Sequence, residues 1–269
     1  MRFRTIELSN PRFEHSNLRQ LTFKSPALKG RGDVTLFVPP ACANSVNLPL
    51  VLLLHGVYGS HWSWALSGGA HVTALKMISA GAIKPMVLAM PSDGLWGDGS
   101  GYVRHDHADY DSWIIDDVPA GIAEAIPQVS AASPLFISGL SMGGYGALRL
   151  GGKHASRVRG ISAHSSITHF SQLKQFVEEP LERYGQLNAE EHAALYWLLN
   201  NRASLPPLRF DCGRDDPLIE PNRALHRDLL EQGVAHTYQE FAGGHSWEYW
   251  EEHLKDTLQF FNACLTAKI

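Results

Sequence analysis

Leu135-Phe136-Ile137-Ser138-Gly139-Leu140-Ser141-Met142-Gly143-Gly144-Tyr145-Gly146-Ala147 opens as a short apolar strand and closes as a glycine-rich helix start. At its centre, Gly139 to Gly143 has the form G-x-S-x-G. Three fixed letters in five recur by chance, so the context must carry the reading. Here the strand Leu135–Ser138 precedes the serine and a helix opens at Met142, the setting of a serine held on a sharp strand-to-helix turn. Small residues beside the serine leave the backbone room to turn. Gly143, Gly144, Gly146 and Ala147 let the helix lie close to the sheet. Its N-terminus brings positive partial charge to the serine.

Outward from this stretch the chain repeats strand, turn and helix. The strand candidates are Val34–Val38, Leu50–Leu54, Met86–Met90, Leu135–Ser138, Val158–Ala163, Leu208–Asp211 and Thr237–Phe241. Most are continuous apolar runs, as expected of parallel strands buried on both faces. Ile114, Val118, Ile122 and Ile126 recur every four residues, with Pro119 marking a kink or the true helix start. Leu225, Leu229 and Leu230 line a helix that stops at Gly233. Trp247, Trp250, Leu254, Leu258, Phe261 and Leu265 predict a long amphipathic C-terminal helix. The alternation implies one α/β domain over 1–269, a mostly parallel central sheet with helices on both faces. Residues 167–205 are too long for a simple connection and predict a small helical insertion or lid.

Composition excludes several classes. Of 269 residues, 44% are hydrophobic and 19% charged, which excludes disordered and fibrous chains. A net charge of −4 with scattered Lys and Arg offers no basic stripe, so no nucleic-acid partner is expected. The longest apolar run, Leu48 to Leu54, contains Pro49 and falls far short of the ~20 residues that span a bilayer, so no membrane partner is expected. Met1 to Glu7 lacks an apolar signal core, which predicts a cytoplasmic location. Cys42, Cys212 and Cys264 form no C-x-x-C pair and read as reduced, buried thiols. Self-association into a homo-oligomer stays open.

Three further segments fall at strand ends. Leu53-Leu54-His55-Gly56-Val57-Tyr58-Gly59 follows an early strand, where an acyl-transfer serine enzyme takes one of its oxyanion donors. The backbone N–H groups of Val57 and Met142 suit that role. Cys212-Gly213-Arg214-Asp215-Asp216-Pro217 and Gly243-Gly244-His245-Ser246-Trp247 follow the last two strands. A serine hydroxyl is a poor nucleophile until an imidazole takes its proton, and the imidazole needs a carboxylate on its other nitrogen. Ser141, an Asp and His245 supply this set in the order Ser, Asp, His. Asp215 and Asp216 both lie within reach. Pro217 restricts Asp216 to an extended backbone, a fixed geometry that favours it as the acid. Tyr58, Trp62, Trp64, Trp96 and Trp247 lie near these motifs and are candidates for an apolar substrate pocket.

Together, Gly139 to Ala147, the His55-Gly56 loop, the Gly213 to Asp216 turn and Gly244-His245 resemble the esterase D-like family of α/β-hydrolases. That family includes S-formylglutathione hydrolases, feruloyl and acetyl esterases and mycolyltransferases. The likeness runs from about Val34 to Phe261. It implies Ser141 as nucleophile, Asp216 as acid, His245 as base and Val57 and Met142 as oxyanion donors, with neither cofactor nor metal. The implied activity is a serine carboxylesterase (EC 3.1.1 type) acting on a small-molecule ester with a short acyl or aryl group. An S-formylglutathione hydrolase-type thioesterase or an acyltransferase is the alternative. Leu140 stands where formylglutathione hydrolases usually have His, and mycolyltransferases are exported.

Two other classes compete. His105-Asp106-His107-Ala108-Asp109 reads H-x-H-x-D, as in zinc-dependent hydrolases, but Tyr110 occupies the position of the next expected His. A surface loop beside the active-site cleft is the simpler reading. Gly97 to Gly101 lacks the Lys and the strand–helix setting of a phosphate loop. A non-catalytic binding module on the same fold is the second competitor; such proteins often lack a triad member, and here all three are present.

Overall fold

The computed structural model describes residues 2–42, 44–185 and 188–266. Nine strands form one sheet: β1 (Ile6–Leu8), β2 (Leu18–Ser25), β3 (Gly30–Phe37), β4 (Leu50–Leu54), β5 (Val87–Pro91), β6 (Leu135–Leu140), β7 (Gly160–His164), β8 (Leu208–Gly213) and β9 (Thr237–Phe241). Their spatial order is β1-β2-β3-β5-β4-β6-β7-β8-β9. The first three and the β3–β5 pair are antiparallel, and every pair from β5 to β9 is parallel. This is an α/β-hydrolase fold.

Helices cover both faces, as the buried strands require. α1 (Ser63–Leu66), α2 (Ala70–Ser79) and the long α8 (Trp247–Thr266) lie on one side. On the other lie α4 (Val118–Ala125), α5 (Met142–Lys153), α6 (Ala194–Asn200) and α7 (Ile219–Glu231), with the one-turn α3 (Tyr110–Ser112) leading into α4. β4 shows why a continuous apolar run is needed. Leu50, Leu52 and Leu54 enter the core under α5, while Val51 and Leu53 enter the core under α2 and α8. Successive side chains point to opposite faces, and both faces are dry.

Each of the seven strand candidates is present, two with the expected ends and five with ends shifted by a few residues. β1 and β2 were not anticipated. β2 is half-buried: Leu21, Phe23 and Ser25 are buried and alternate with polar residues. The Ile114 to Ile126 pattern is real but composite. A π-turn over Trp113–Asp117 sends Val118 N–H to Trp113 O, and α4 then starts with Pro119 in its first turn, where a missing N–H costs nothing. The segment 167–205 between β7 and β8 is mostly 3₁₀ turns, with α6 as its one regular helix among the described residues. Phe170, Leu173, Tyr184, Ala194 and Leu198 anchor it in the core.

The chain crosses the sheet from β5, on one side of β4, to β6 on the other. The C-terminal ends of β4 and β6 are therefore adjacent, with Leu54 opposite Gly139 in register. A crevice at such a crossover is where open α/β sheets place their ligand sites.

Candidate active site

Ser141 follows β6 directly and adopts φ 55°, ψ −119°, a strained backbone for a residue with a side chain. Three hydrogen bonds hold it there: its N–H donates to His164 O (3.0 Å), and the N–H groups of Tyr145 (3.1 Å) and Ile167 (3.2 Å) donate to its carbonyl. The tight turn needs Gly143, because a Cβ there would collide with the carbonyl oxygens of Leu54 and His55. The N-terminus of α5 then begins beside the Ser141 hydroxyl. The leading N–H groups of a helix have no intrahelical acceptor. Among the described residues, the N–H groups of Met142 and Val57 have no protein partner.

His245 sits between β9 and α8, and Asp216 in the turn after β8. His245 Nε2 is 3.0 Å from Ser141 Oγ, and its Nδ1 is 2.9 Å from Asp216 Oδ2. The other carboxylate oxygen, Oδ1, accepts Leu218 N–H at 2.8 Å. Asp216 is buried while Asp215 is exposed, so the structure brings Asp216 to the imidazole and leaves Asp215 outside. Burial alone would raise the Asp216 carboxyl. The hydrogen bond and charge of His245, with Leu218 N–H, outweigh burial and hold it below the usual carboxylate range. An ionised carboxylate accepts a hydrogen bond from Nδ1–H and so leaves the Nε2 lone pair facing the serine.

The loop after β4 runs beside Ser141. Gly56 approaches so closely that a Cβ on it would lie 3.3 Å from the Ser141 Cβ. His55, though not a member of the expected set, holds this loop in place. Its Nε2 accepts Asp93 N–H (3.1 Å), so its Nδ1 carries the hydrogen and donates to Gly56 O (2.7 Å). Tyr102 Oη donates to His55 O (2.9 Å), and Tyr58 N–H donates to Asp98 O (3.0 Å). Val57 is thereby presented on a braced turn.

A cleft of about 580 Å³ opens over Ser141 and His245, with Val57, Tyr58, Trp62 and Trp247 among its walls. Trp64 and Trp96, expected as pocket residues, are not among them. Trp64 is buried and donates Nε1–H to Leu54 O (2.9 Å), which makes it core. Trp96 packs edge-on against His105 and Tyr184. Leu140, Phe176 and Trp250 complete the walls instead. Phe176 lies parallel to the His245 ring, centroids 5.6 Å apart, and Trp250 meets it edge-on at 4.9 Å. Trp250 lies one turn beyond Trp247 on α8, so helical spacing carried a signal for it. Nothing in the sequence singled out Phe176.

The His105 and His107 segment differs from the surface loop expected. His107 is exposed, but His105 is buried among Trp96, Tyr110 and Tyr184, and its Nε2–H donates to Ser100 O at 2.9 Å. Burial pushes its imidazole down to about 4. Among the described residues, no three His, Cys, Asp or Glu side chains are grouped so as to hold a metal ion. Nor is any helix among them long and apolar enough to cross a membrane.

A family model described as “Putative esterase” matches residues 25–261. A curated relative, an acetyl esterase of Caldicellulosiruptor saccharolyticus, is 27% identical over 91% of this chain and 98% of its own length. Among solved structures, a ferulic acid esterase superposes with a TM-score of 0.79 at 21% identity, covering 97% of this chain and 99% of that one. A fluorophosphonate-binding serine hydrolase of Staphylococcus aureus gives 0.77 at 21% identity, covering 90% and 97%.

Proposed function

Because the chain belongs to the esterase family whose model spans residues 25–261, and so is a hydrolase of the serine-esterase type, we propose that it is a carboxylesterase acting on short acyl or aryl esters through Ser141, His245 and Asp216. As Ser141 Oγ attacks the ester carbonyl carbon, His245 Nε2 takes its proton. The carbonyl oxygen gains negative charge and receives the N–H groups of Val57 and Met142, backed by the α5 dipole. His245 then returns the proton to the departing alcohol, leaving an acyl group on Ser141. Water, deprotonated by the same imidazole, attacks the acyl carbon and frees the acid and the serine. Asp216 keeps Nδ1 protonated and balances the imidazolium that forms in each half.

The observation that carries this reading is the unbroken line Oγ to Nε2 (3.0 Å) and Nδ1 to Oδ2 (2.9 Å), opening into an aromatic cleft. The acetyl esterase relative supports a short acyl group. The test is a panel of p-nitrophenyl and aryl esters of graded acyl length, run with the parent protein and Ser141→Ala. Turnover of the short members by the parent, lost in the variant, is expected. Undiminished turnover by Ser141→Ala would overturn the proposal.

A further inference from the structure

A second hydroxyl–imidazole–carboxylate set lies beneath the site, out of reach of any substrate. His164, the last residue of β7, is fully buried; its Nδ1 is 3.0 Å from Asp211 Oδ1 and its Nε2 is 2.8 Å from Thr257 Oγ1 on α8. Arg209 places Nη2 2.8 Å from Asp211 Oδ2 and donates from Nη1 to Thr257 Oγ1 at 3.0 Å. Ser162 Oγ lies 2.6 Å from Thr257 Oγ1, and Tyr249 Oη donates to Asp211 Oδ1 at 2.8 Å.

These contacts admit a consistent assignment of hydrogens. Burial alone would raise the Asp211 carboxyl, but His164, Arg209 and Tyr249 together hold it down, so it is ionised and accepts from Nδ1–H. Ser162 then donates to Thr257, Thr257 donates to Nε2, and Arg209 Nη1 donates to Ser162 and Thr257 while its Nη2 lies in ionic contact with Asp211 Oδ2. Nε2 serves as an acceptor in this arrangement, and the Arg209 charge faces that of Asp211. A buried network so densely connected is rigid, because its members cannot move without losing a partner.

All three members of the proposed catalytic set hang from it. The His164 carbonyl accepts the Ser141 N–H (3.0 Å). The Asp211 carbonyl accepts the N–H of Ser165 (2.8 Å), a residue held at φ 46°, and β8 runs from Asp211 into the turn that presents Asp216. Tyr249 lies in the first turn of α8, four residues past His245, and its ring packs under Gly243. We infer that His164, Asp211, Thr257 and Tyr249 are positioning residues that set nucleophile, acid and base relative to one another across three separate loops.

This inference rests on the proposed roles of Ser141, Asp216 and His245. Its test compares Thr257→Val, which keeps the shape and removes the hydroxyl, with Thr257→Ser, which keeps the hydroxyl. Two readouts are taken: ester turnover, and the rate at which a small fluorophosphonate labels Ser141. Misplacement by a fraction of an ångström should lower kcat and labelling of Thr257→Val by about ten- to a hundredfold, with KM within about twofold of the parent. Thr257→Ser should recover most of the loss. Tyr249→Phe removes one hydroxyl and carries the same test should Thr257→Val not fold. Folded Thr257→Val and Tyr249→Phe with parental kcat and labelling would overturn the inference, as would a loss confined to KM or shared equally by Thr257→Ser. A parent protein that is neither labelled nor active would instead overturn the catalytic reading beneath it.

Discussion

Replacing Asp216 by Asn changes one atom and should reverse the imidazole. Oδ1 accepts Leu218 N–H at 2.8 Å, so the amide must keep its oxygen on that side. The amide nitrogen then faces His245 Nδ1, 2.9 Å away, and can only donate to it. Nδ1 must offer a lone pair, the hydrogen moves to Nε2, and an N–H points at Ser141 Oγ where a base is required. Loss of this orienting carboxylate in a serine protease costs about 10⁴ in kcat, or about 5.5 kcal/mol of transition-state stabilisation. The same fall is expected here, because the geometry shows no second acceptor for Nδ1–H among the described residues. Asp215→Asn should cost less than about tenfold, since that side chain is exposed and away from the imidazole. Steady-state hydrolysis of p-nitrophenyl acetate by both folded variants decides the matter. Asp216→Asn within tenfold of the parent, or Asp215→Asn as impaired as Asp216→Asn was expected to be, would refute the reasoning.

Phe176→Ala strips one face of His245 and one wall of the cleft, worth about 1 kcal/mol; KM for an aryl ester should rise about fivefold, more than kcat falls, and an unchanged KM would show that the ring does not meet substrate. Chelators should leave ester turnover unchanged, because the proposed triad would supply both nucleophile and base; activity lost on chelation and restored by zinc would return attention to His105 and His107. The same His105 makes stability depend on pH. Its folded value near 4 lies below the ordinary 6.5, so between these values the unfolded chain takes up a proton that the folded protein refuses. Stability should therefore fall as pH drops from 6.5 to 4, by up to about 3 kcal/mol, and this part of the slope should vanish in His105→Phe. Denaturant unfolding at pH 7 and 4.5 measures it, and equal slopes in both proteins would refute the assignment.

What could be read from the chain follows the range of the forces involved. β4 matches its expected bounds residue for residue, because a strand buried on both faces must be apolar throughout and its ends are marked by polar turns. β9, an edge strand of sequence TYQEF with no buried residue, matches because Thr237, Tyr238 and Phe241 favour the extended chain between polar turns. The serine turn was legible because close backbone approach demands glycine at Gly143 whatever surrounds it. β2 escaped because its alternating pattern is short, with Gln20, Thr22 and Lys24 on its wet side and Arg19 interrupting the apolar face of Leu21 and Phe23. Trp64 and Trp247 look alike in sequence, yet one is core and the other cleft wall; the difference lies in the packing of α1 against α8, which no local pattern encodes. The same holds for Phe176 and for the His164 network, whose partners are 47 and 93 residues away along the chain.

The central claim is that Ser141 becomes covalently bonded during the reaction. Treatment with an organophosphate, followed by intact-mass and peptide mapping, tests it without any assumption about the natural ester. One adduct per chain on the peptide containing Ser141 is expected, with activity lost in step with labelling and no adduct in Ser141→Ala. Labelling at another residue, or full loss of activity with Ser141 unmodified, would contradict the account.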